Sequence, residues 1–381
     1  MRTIGVISAA ALVFLCSMGQ AQNIEQATWG RRNCTPYCPP VCPPVQPDVT
    51  RPPTEPSIAQ PPMTDAFAQA GEGGTAPAAS FQPGFFGDLV GYSGARIFRN
   101  PNQSTQLVRV PFAARAGVKI TDGESPRPMN RIFFNYNYYS NVNEGLNPGI
   151  STIGLSRYMF GFEKTFLGGD ASFGMRMPFV TLTGFQGVDG SFAGDLSMIA
   201  KYALINDWTT GNVLSGGLMI TVPTGQAMVV DVPGANVPGT VFGGPTFIQE
   251  KFNPVVLQPY LGIIYNFTDR LYLHGFSAIA VPTDSRDVTL FWNDVGLGYW
   301  LYRNQADRFV QGVVPTFEWH VNTPLNHRGA NESITFPDEV DMTGGCYFVL
   351  PRSTLGVAAG FPVTGPRPFG VEGIVSFNFR W

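Results

Sequence analysis

Few side chains in this sequence are suited to proton or metal chemistry. The histidines are three: His274, His320 and His327. His320 follows Glu318 by two residues, a spacing that puts carboxylate and imidazole on one face of a strand. Beside a serine, such an imidazole would act as the base of a hydrolase. No nucleophile motif accompanies it, and no His-Glu-x-x-His occurs that would hold zinc. Three cysteines lie in Cys34-Thr-Pro-Tyr-Cys38-Pro-Pro-Val-Cys42. Their three-residue gaps, stiffened by proline, match neither a zinc knuckle nor a haem-attachment motif. The expected chemistry of Cys34, Cys38 and Cys42 is an oxidised pair or an intermolecular bridge. Catalytic residues, a metal and a cofactor are not expected.

A larger set of polar residues recurs at strand spacing: Arg131, Arg157, Arg176, Lys201 and Arg380 with Glu163, Asp195, Glu318, His320 and Glu372. Period two places most of these opposite aromatic or aliphatic residues. Ile132, Phe134, Tyr136 and Tyr138 face away from Arg131; Tyr158, Phe160 and Phe162 from Arg157 and Glu163; Phe173, Met175, Met177 and Phe179 from Arg176. Charges on one face of apolar strands are costly against lipid and tolerable against water or one another. They are therefore candidates for the lining of a lumen, either as a selective pore or as a mutually neutralised, closed interior.

The elements that must carry them follow from the end of the chain. In Val371–Trp381 one face is Val371, Gly373, Val375, Phe377, Phe379 and Trp381, and the other is Glu372, Ile374, Ser376, Asn378 and Arg380. A terminal aromatic strand of this kind resembles the closing strand of bacterial outer-membrane β-barrels, whose assembly machinery reads a C-terminal Phe or Trp. Phe377, Phe379 and Trp381 are the candidate signal. Charged residues are only 13% of the chain, too few to cover an ordinary water-facing surface. The thinly scattered Lys and Arg give no footprint for nucleic acid. Met1-Arg2, the apolar run to Leu15 and Gly19-Gln-Ala21 have the form of a secretory signal cleaved after Ala21. No later run of about 18 apolar residues offers a membrane helix. The remaining way through a bilayer is a closed barrel.

From 22 to 84 the proline-, glycine- and glutamine-rich sequence predicts a disordered periplasmic arm, a tether that docks on the cell wall or simply links. At 85 to 130 the pattern gives two weak strands, Phe86–Phe98 and Leu107–Ile120, and then a turn-rich stretch; the segment is read as strands, plug or collar. Residues 131–381 predict an all-β, antiparallel transmembrane barrel of twelve strands, or fourteen with the weak pair. One strand does not sort, since Tyr272, His274 and Phe276 oppose Leu271, Leu273 and Ser277. Splitting Gly344–Phe361 at Pro351-Arg-Ser353 puts the long connections 223–254 and 321–343 on one side and the tight Thr268-Asp-Arg270 on the other, as outer-membrane barrels do. A secreted soluble β-sandwich is the alternative fold.

Two passages carry a family resemblance: Gly194-Asp-Leu-Ser-Met-Ile-Ala-Lys-Tyr202, and Leu214-Ser-Gly-Gly-Leu-Met-Ile-Thr-Val-Pro-Thr-Gly225. Together with the hairpin from Leu257-Gln-Pro-Tyr-Leu-Gly to Leu271-Tyr-Leu-His, they resemble the barrel family labelled as the transporter of the MetA pathway of phenol degradation. The resemblance implies an outer-membrane location and passage of small, often aromatic, compounds; it carries no catalytic motif. The expected function is a passive channel or transporter set in outer-membrane lipid. The rival is a non-transporting structural protein of the envelope.

Overall fold

The protein is described by a computed structural model over residues 81–88, 91–99, 105–112, 118–147, 153–184, 189–233, 247–304, 309–329 and 332–381. The expected signal peptide, most of the proline-rich arm and Cys34, Cys38 and Cys42 lie outside these residues.

Twelve antiparallel strands follow one another around a closed ring. They are β1 (Arg131–Tyr139), β2 (Gly154–Phe166), β3 (Ala171–Thr183), β4 (Leu196–Asn206), β5 (Val213–Val222) and β6 (Val256–Asn266). The second half is β7 (Leu271–Pro282), β8 (Leu290–Tyr299), β9 (Gly312–Pro324), β10 (Glu339–Val349), β11 (Ser353–Pro362) and β12 (Glu372–Arg380). The ring closes where β12 pairs with β1, from Glu372 opposite Tyr139 to Arg380 opposite Arg131. Closure leaves no unpaired edge, which satisfies the backbone without water. Two short pieces extend it: Gly190–Ala193 pairs with the end of β3, and Tyr302–Arg303 with the start of β9. Among the described residues no helix is long and apolar enough to cross a membrane.

The period-two reading sorts the two faces. On β1, Arg131, Phe133, Asn135, Asn137 and Tyr139 are buried inside, while Ile132 and Tyr138 are exposed outside. Exposed apolar residues on the other strands, among them Phe160, Tyr202, Leu261, Val281, Phe361 and Phe377, continue this outer band. Such a band is far larger than the isolated apolar patches of a soluble surface. The soluble sandwich is therefore set aside. Most connections at one end are short, at 167–170, 207–212, 267–270 and 350–352, with a longer one at 300–311, and this is the turn end. Those at the other, the loop end, include 140–153, 223–255 and 325–338. The split at Pro351-Arg-Ser353 stands, but β10 begins at Glu339, so the preceding loop is shorter than expected.

The weak N-terminal strands do not enter the ring. Ser93–Arg99 and Thr105–Pro111 pair with each other, and the first also meets Ile334–Thr335 in the loop before β10. The physical reason lies in their faces: on the first strand Arg96 stands on one face with Gly94, and Ser93 with Ala95 and Ile97 on the other, so neither gives lipid a clean apolar ladder. A second hairpin, Met228–Pro233 with Phe247–Phe252, rises from the loop after β5. Asp231 of that hairpin accepts from the Ile97 backbone N–H at 2.7 Å and pairs with Arg96 at 3.3 Å. Tyr92, Phe112, Val230, Phe252, Ile334 and Phe336 join Trp292, Ala280 and Leu290 of the wall in one apolar core that caps the loop end.

Close packing inside the wall uses glycine where a large neighbour needs room. A Cβ on Gly298 of β8 would lie 2.2 Å from the Tyr272 ring on β7. Gly298→Val is expected to destabilise the barrel by about 1–3 kcal/mol, the usual range for overpacking, as read from the urea midpoint in detergent. An unchanged midpoint would show that the Tyr272 ring has space to move.

Candidate functional site: a lumen occupied by an inserted segment

Residues 81–88 and 118–130 run through the ring and touch the inner face of strands on every side. At the turn end, the Arg380 guanidinium lies 3.7 Å over the Phe81 ring, and Gln82 Nε2 donates to Asn266 Oδ1 at 2.9 Å. Arg127 leaves by the same end, donating to Asn206 Oδ1 at 2.5 Å and to the Gly211 carbonyl at 2.7 Å. At the loop end the Gly91 N–H reaches Glu339 at 3.3 Å, and Arg109 donates to the Glu332 carbonyl at 2.7 Å. The insert thus enters at the turn end, builds the hairpin 93–111 at the loop end, and returns to start β1. The arm expected to reach Gly84 gives way to this packed segment at Phe81, and the turn-rich stretch after Ile120 is part of the insert.

Apart from Arg380 at the turn end of β12, the inward-facing basic residues Arg131, Arg157, Arg176 and Lys201 stand on β1 to β4. Arg131 bonds Glu124 of the insert and, through Nε, Glu163 of β2 at 2.9 Å. Lys201 Nζ lies 2.9 Å from Glu124 and 3.0 Å from Glu163, and it donates to the Ser125 carbonyl at 2.6 Å. Arg157 spreads its two Nη atoms over Asp122 at 3.1 and 3.3 Å. Arg176 donates to backbone carbonyls of the insert, Asp122 at 2.8 Å and Lys119 at 2.5 Å. Two-pronged guanidinium bonding of this kind is both strong and directional.

Acidic residues gather on the other side, from β8 to β12. Lys119 of the insert is fully buried between Asp294 of β8 at 2.6 Å and Asp88 of the insert at 2.5 Å, with Asn322 Oδ1 at 3.1 Å. Glu318 accepts from the Phe86 N–H at 2.9 Å and the Gly87 N–H at 3.3 Å. His320 sits between these groups, with Nδ1 at 2.8 Å from Asp294 and Nε2 at 3.4 Å from Glu318. Its ring nitrogens face carboxylates rather than a serine hydroxyl, the geometry a hydrolase would need. Asp88, Asp294 and His320 bring ligand atoms within 4.8 Å of one another, as a metal would require, but the Lys119 ammonium already fills the cation position.

Two aromatic rings complete the seating. Phe85 stacks on His274 with centroids 3.9 Å apart, and Phe86 stacks on Tyr347 at 4.1 Å. Phe86 fits because Gly345 and Gly356 leave its space open; a Cβ on either would come within 2.7 Å of the ring. This explains the strand that did not sort: Tyr272, His274 and Phe276 all face inward, against an interior that is packed rather than wet.

The expected lining residues fall into two groups. Arg131, Arg157, Glu163, Arg176, Lys201, Glu318, His320 and Glu372 are buried on the inner face, Glu372 accepting from Asn137 Nδ2 at 2.8 Å. Asp195 precedes β4 at the loop end and accepts from the Gly225 N–H at 2.9 Å, a turn contact away from the central charges. Arg380 is at the turn end and donates to the Leu350 carbonyl. Phe377 and Phe379 lie on the outer face, and Trp381 has the Lys164 ammonium 5.9 Å from its ring. Sequence reasoning missed Lys119, Asp122, Glu124 and Asp294. Lys119, Asp122 and Glu124 lie in or beside the turn-rich stretch that period two does not describe, and Asp294 sits in a strand where glycines replace the expected alternation.

No family model and no curated protein matches this chain. Solved outer-membrane barrels do. The NanC porin aligns with 66% of this chain and 100% of its own at 10% identity, TM-score 0.41. An outer membrane channel from Pseudomonas putida F1 aligns over 69% and 100% at 11% identity, TM-score 0.45. The KdgM porin aligns over 66% and 99% at 9% identity, TM-score 0.36. At that level of likeness the architecture stands on the strand register described above.

Proposed function

We propose that this chain is an outer-membrane channel for passive passage of small molecules, closed at rest by its own residues 81–130. The observation that carries this reading is where the wall charges find partners: Arg157, Arg176, Lys201 and Glu318 all reach the insert. A barrel built only for support would be expected to neutralise such charges between neighbouring strands, as Arg131 and Glu163 do. A wall that needs a removable segment to satisfy it is suited to exchanging that segment for solute and water. The turn end is then periplasmic and the loop end external. Export by residues 1–21 and recognition of the Phe377–Trp381 strand by the assembly machinery belong to the same reading, as does a docking role for the arm.

Aromatic permeants fit this proposal as well. Phe85 and Phe86 mark two wall positions where a planar ring is held face to face, on His274 and on Tyr347.

The test is single-channel recording of the full chain and of Phe85→Ala/Phe86→Ala in planar bilayers. Removing both rings forfeits two stacking contacts and about 3–5 kcal/mol per truncated ring where it is fully buried. The variant is expected to show discrete ohmic steps at least tenfold more often than the wild type. Insertion of both without conductance would move the reading to a closed structural barrel.

A further inference from the structure

Once the insert is set aside, the wall is electrically sorted across its width. The β1–β4 side presents Arg157 and Arg176 near mid-depth, and the β8–β10 side presents Asp294, Glu318 and Asp341. Glu163 on the basic side is held by Arg131 and Lys201, and His320 on the acidic side is held by Asp294 and Glu318. Asp341 is fully buried with neither carboxylate oxygen hydrogen-bonded, so the acidic side retains capacity for more positive charge. Glu372 of β12 stands where the two sides meet, bonded by Asn137.

What fills this field is a compact dipolar unit. Lys119 and Asp122 belong to one turn, closed by the Asp122 N–H on the Lys119 carbonyl at 3.1 Å and the Lys119 N–H on Asp122 Oδ2 at 2.9 Å. The ammonium of this unit goes to Asp294, and its carboxylate goes to Arg157. The chain thus lays the Lys119 ammonium toward the acidic wall and the Asp122 carboxylate, with Glu124 further toward the turn end, toward the basic wall. A solute carrying both charges meets both walls at once; a solute with one charge satisfies one wall and leaves the other uncompensated.

We infer that the lumen wall is a binding site for small zwitterions, with the solute carboxylate toward Arg157 and Arg176 and its ammonium toward Asp294. This rests on the channel reading above and names the solute class that replaces the insert.

The test uses the full chain carrying Lys119→Gln/Asp122→Asn, which removes the built-in dipole and leaves the wall intact. Its folded state is first checked by heat-modifiable gel migration. Current through this variant is then titrated with 6-aminohexanoate, with hexanoate and with hexylammonium. The zwitterion is expected to reduce the current at a roughly tenfold lower concentration than either singly charged analogue, one wall contact being worth about one decade. Adding Asp294→Asn should erase its advantage over hexanoate. Equal block by hexylammonium or hexanoate, or no block by any of the three, overturns the inference while leaving the channel reading in place. Absence of current from the folded variant overturns both. Phe85→Ala/Phe86→Ala keeps the insert's charges and gives a second readout. There 6-aminohexanoate should raise the open probability several-fold by competing with Lys119 and Asp122, and no change would overturn the inference even if the first variant does not fold.

Discussion

Lys119→Met is expected to cost the folded barrel about 3–5 kcal/mol, the usual loss when one partner of a buried ion pair is removed. Among the described residues, only the Lys119 ammonium and the His320 ring meet both Asp88 and Asp294. Without it, two carboxylates are left facing each other in a site that excludes water, and the methionine stem replaces the lost volume but none of the charge. Because one of these carboxylates is on the insert and the other on the wall, the loss should appear first as release of the insert. Conductance steps should therefore accompany a lowered urea midpoint. Lys119→Met/Asp294→Asn should recover more than half of the lost stability, since the remaining Asp88 then has an amide rather than a like charge opposite. A midpoint within about 1 kcal/mol of wild type for Lys119→Met, below the range for a broken buried pair, would refute the role assigned to the ammonium.

The second large effect is a pH dependence that resides at the loop end. Asp287, in the 283–289 connection, is fully buried and accepts from the Val288 N–H at 2.7 Å. Burial pushes its carboxyl up, the Val288 N–H and nearby His327 pull it partly back, and the balance leaves it at about 7. In the unfolded chain the same group titrates near the ordinary aspartate value of 3.8. Between those values the folded protein holds a proton that the unfolded chain has released, so the associated stability is complete below pH 4 and is lost as pH rises through 7. The loss is of the order of 4 kcal/mol at most. Asp287→Asn should remove this slope and make the protein more stable than wild type at pH 8 but not at pH 4. Urea midpoints of both proteins at the two pH values decide it; parallel behaviour would mean that Asp287 is solvated or otherwise paired.

How much of this could be read from the chain depended on which physical signal each residue obeyed. The wall was legible wherever one side of a strand met lipid. Ile132, Tyr158, Phe160 and Phe377 alternate with polar residues, and burial of Arg131, Arg157, Glu163, Arg176 and Lys201 follows from that alternation. Strand β7 was not legible, because His274 and Phe276 meet Phe85 of the insert and Tyr272 joins the apolar cluster around Phe86, so both faces of the strand are largely apolar. The insert was hidden for a different reason. Residues 118–130 obey no period, and their charges acquire meaning only from partners such as Asp294, 175 positions away from Lys119. The hairpin 228–252 was hidden within a long loop by its short strands and the proline and glycine between them.

The path of the insert has one more consequence. Both of its ends, Phe81 and Asn130, are at the turn end, and only its bent middle reaches the opposite mouth. It is a loop pushed in from one side rather than a thread passed through. Over the described residues, such a loop can back out by the way it came without unzipping the β12–β1 seam. The stopper and the bottle are one polypeptide, yet among the described residues no topological lock joins them.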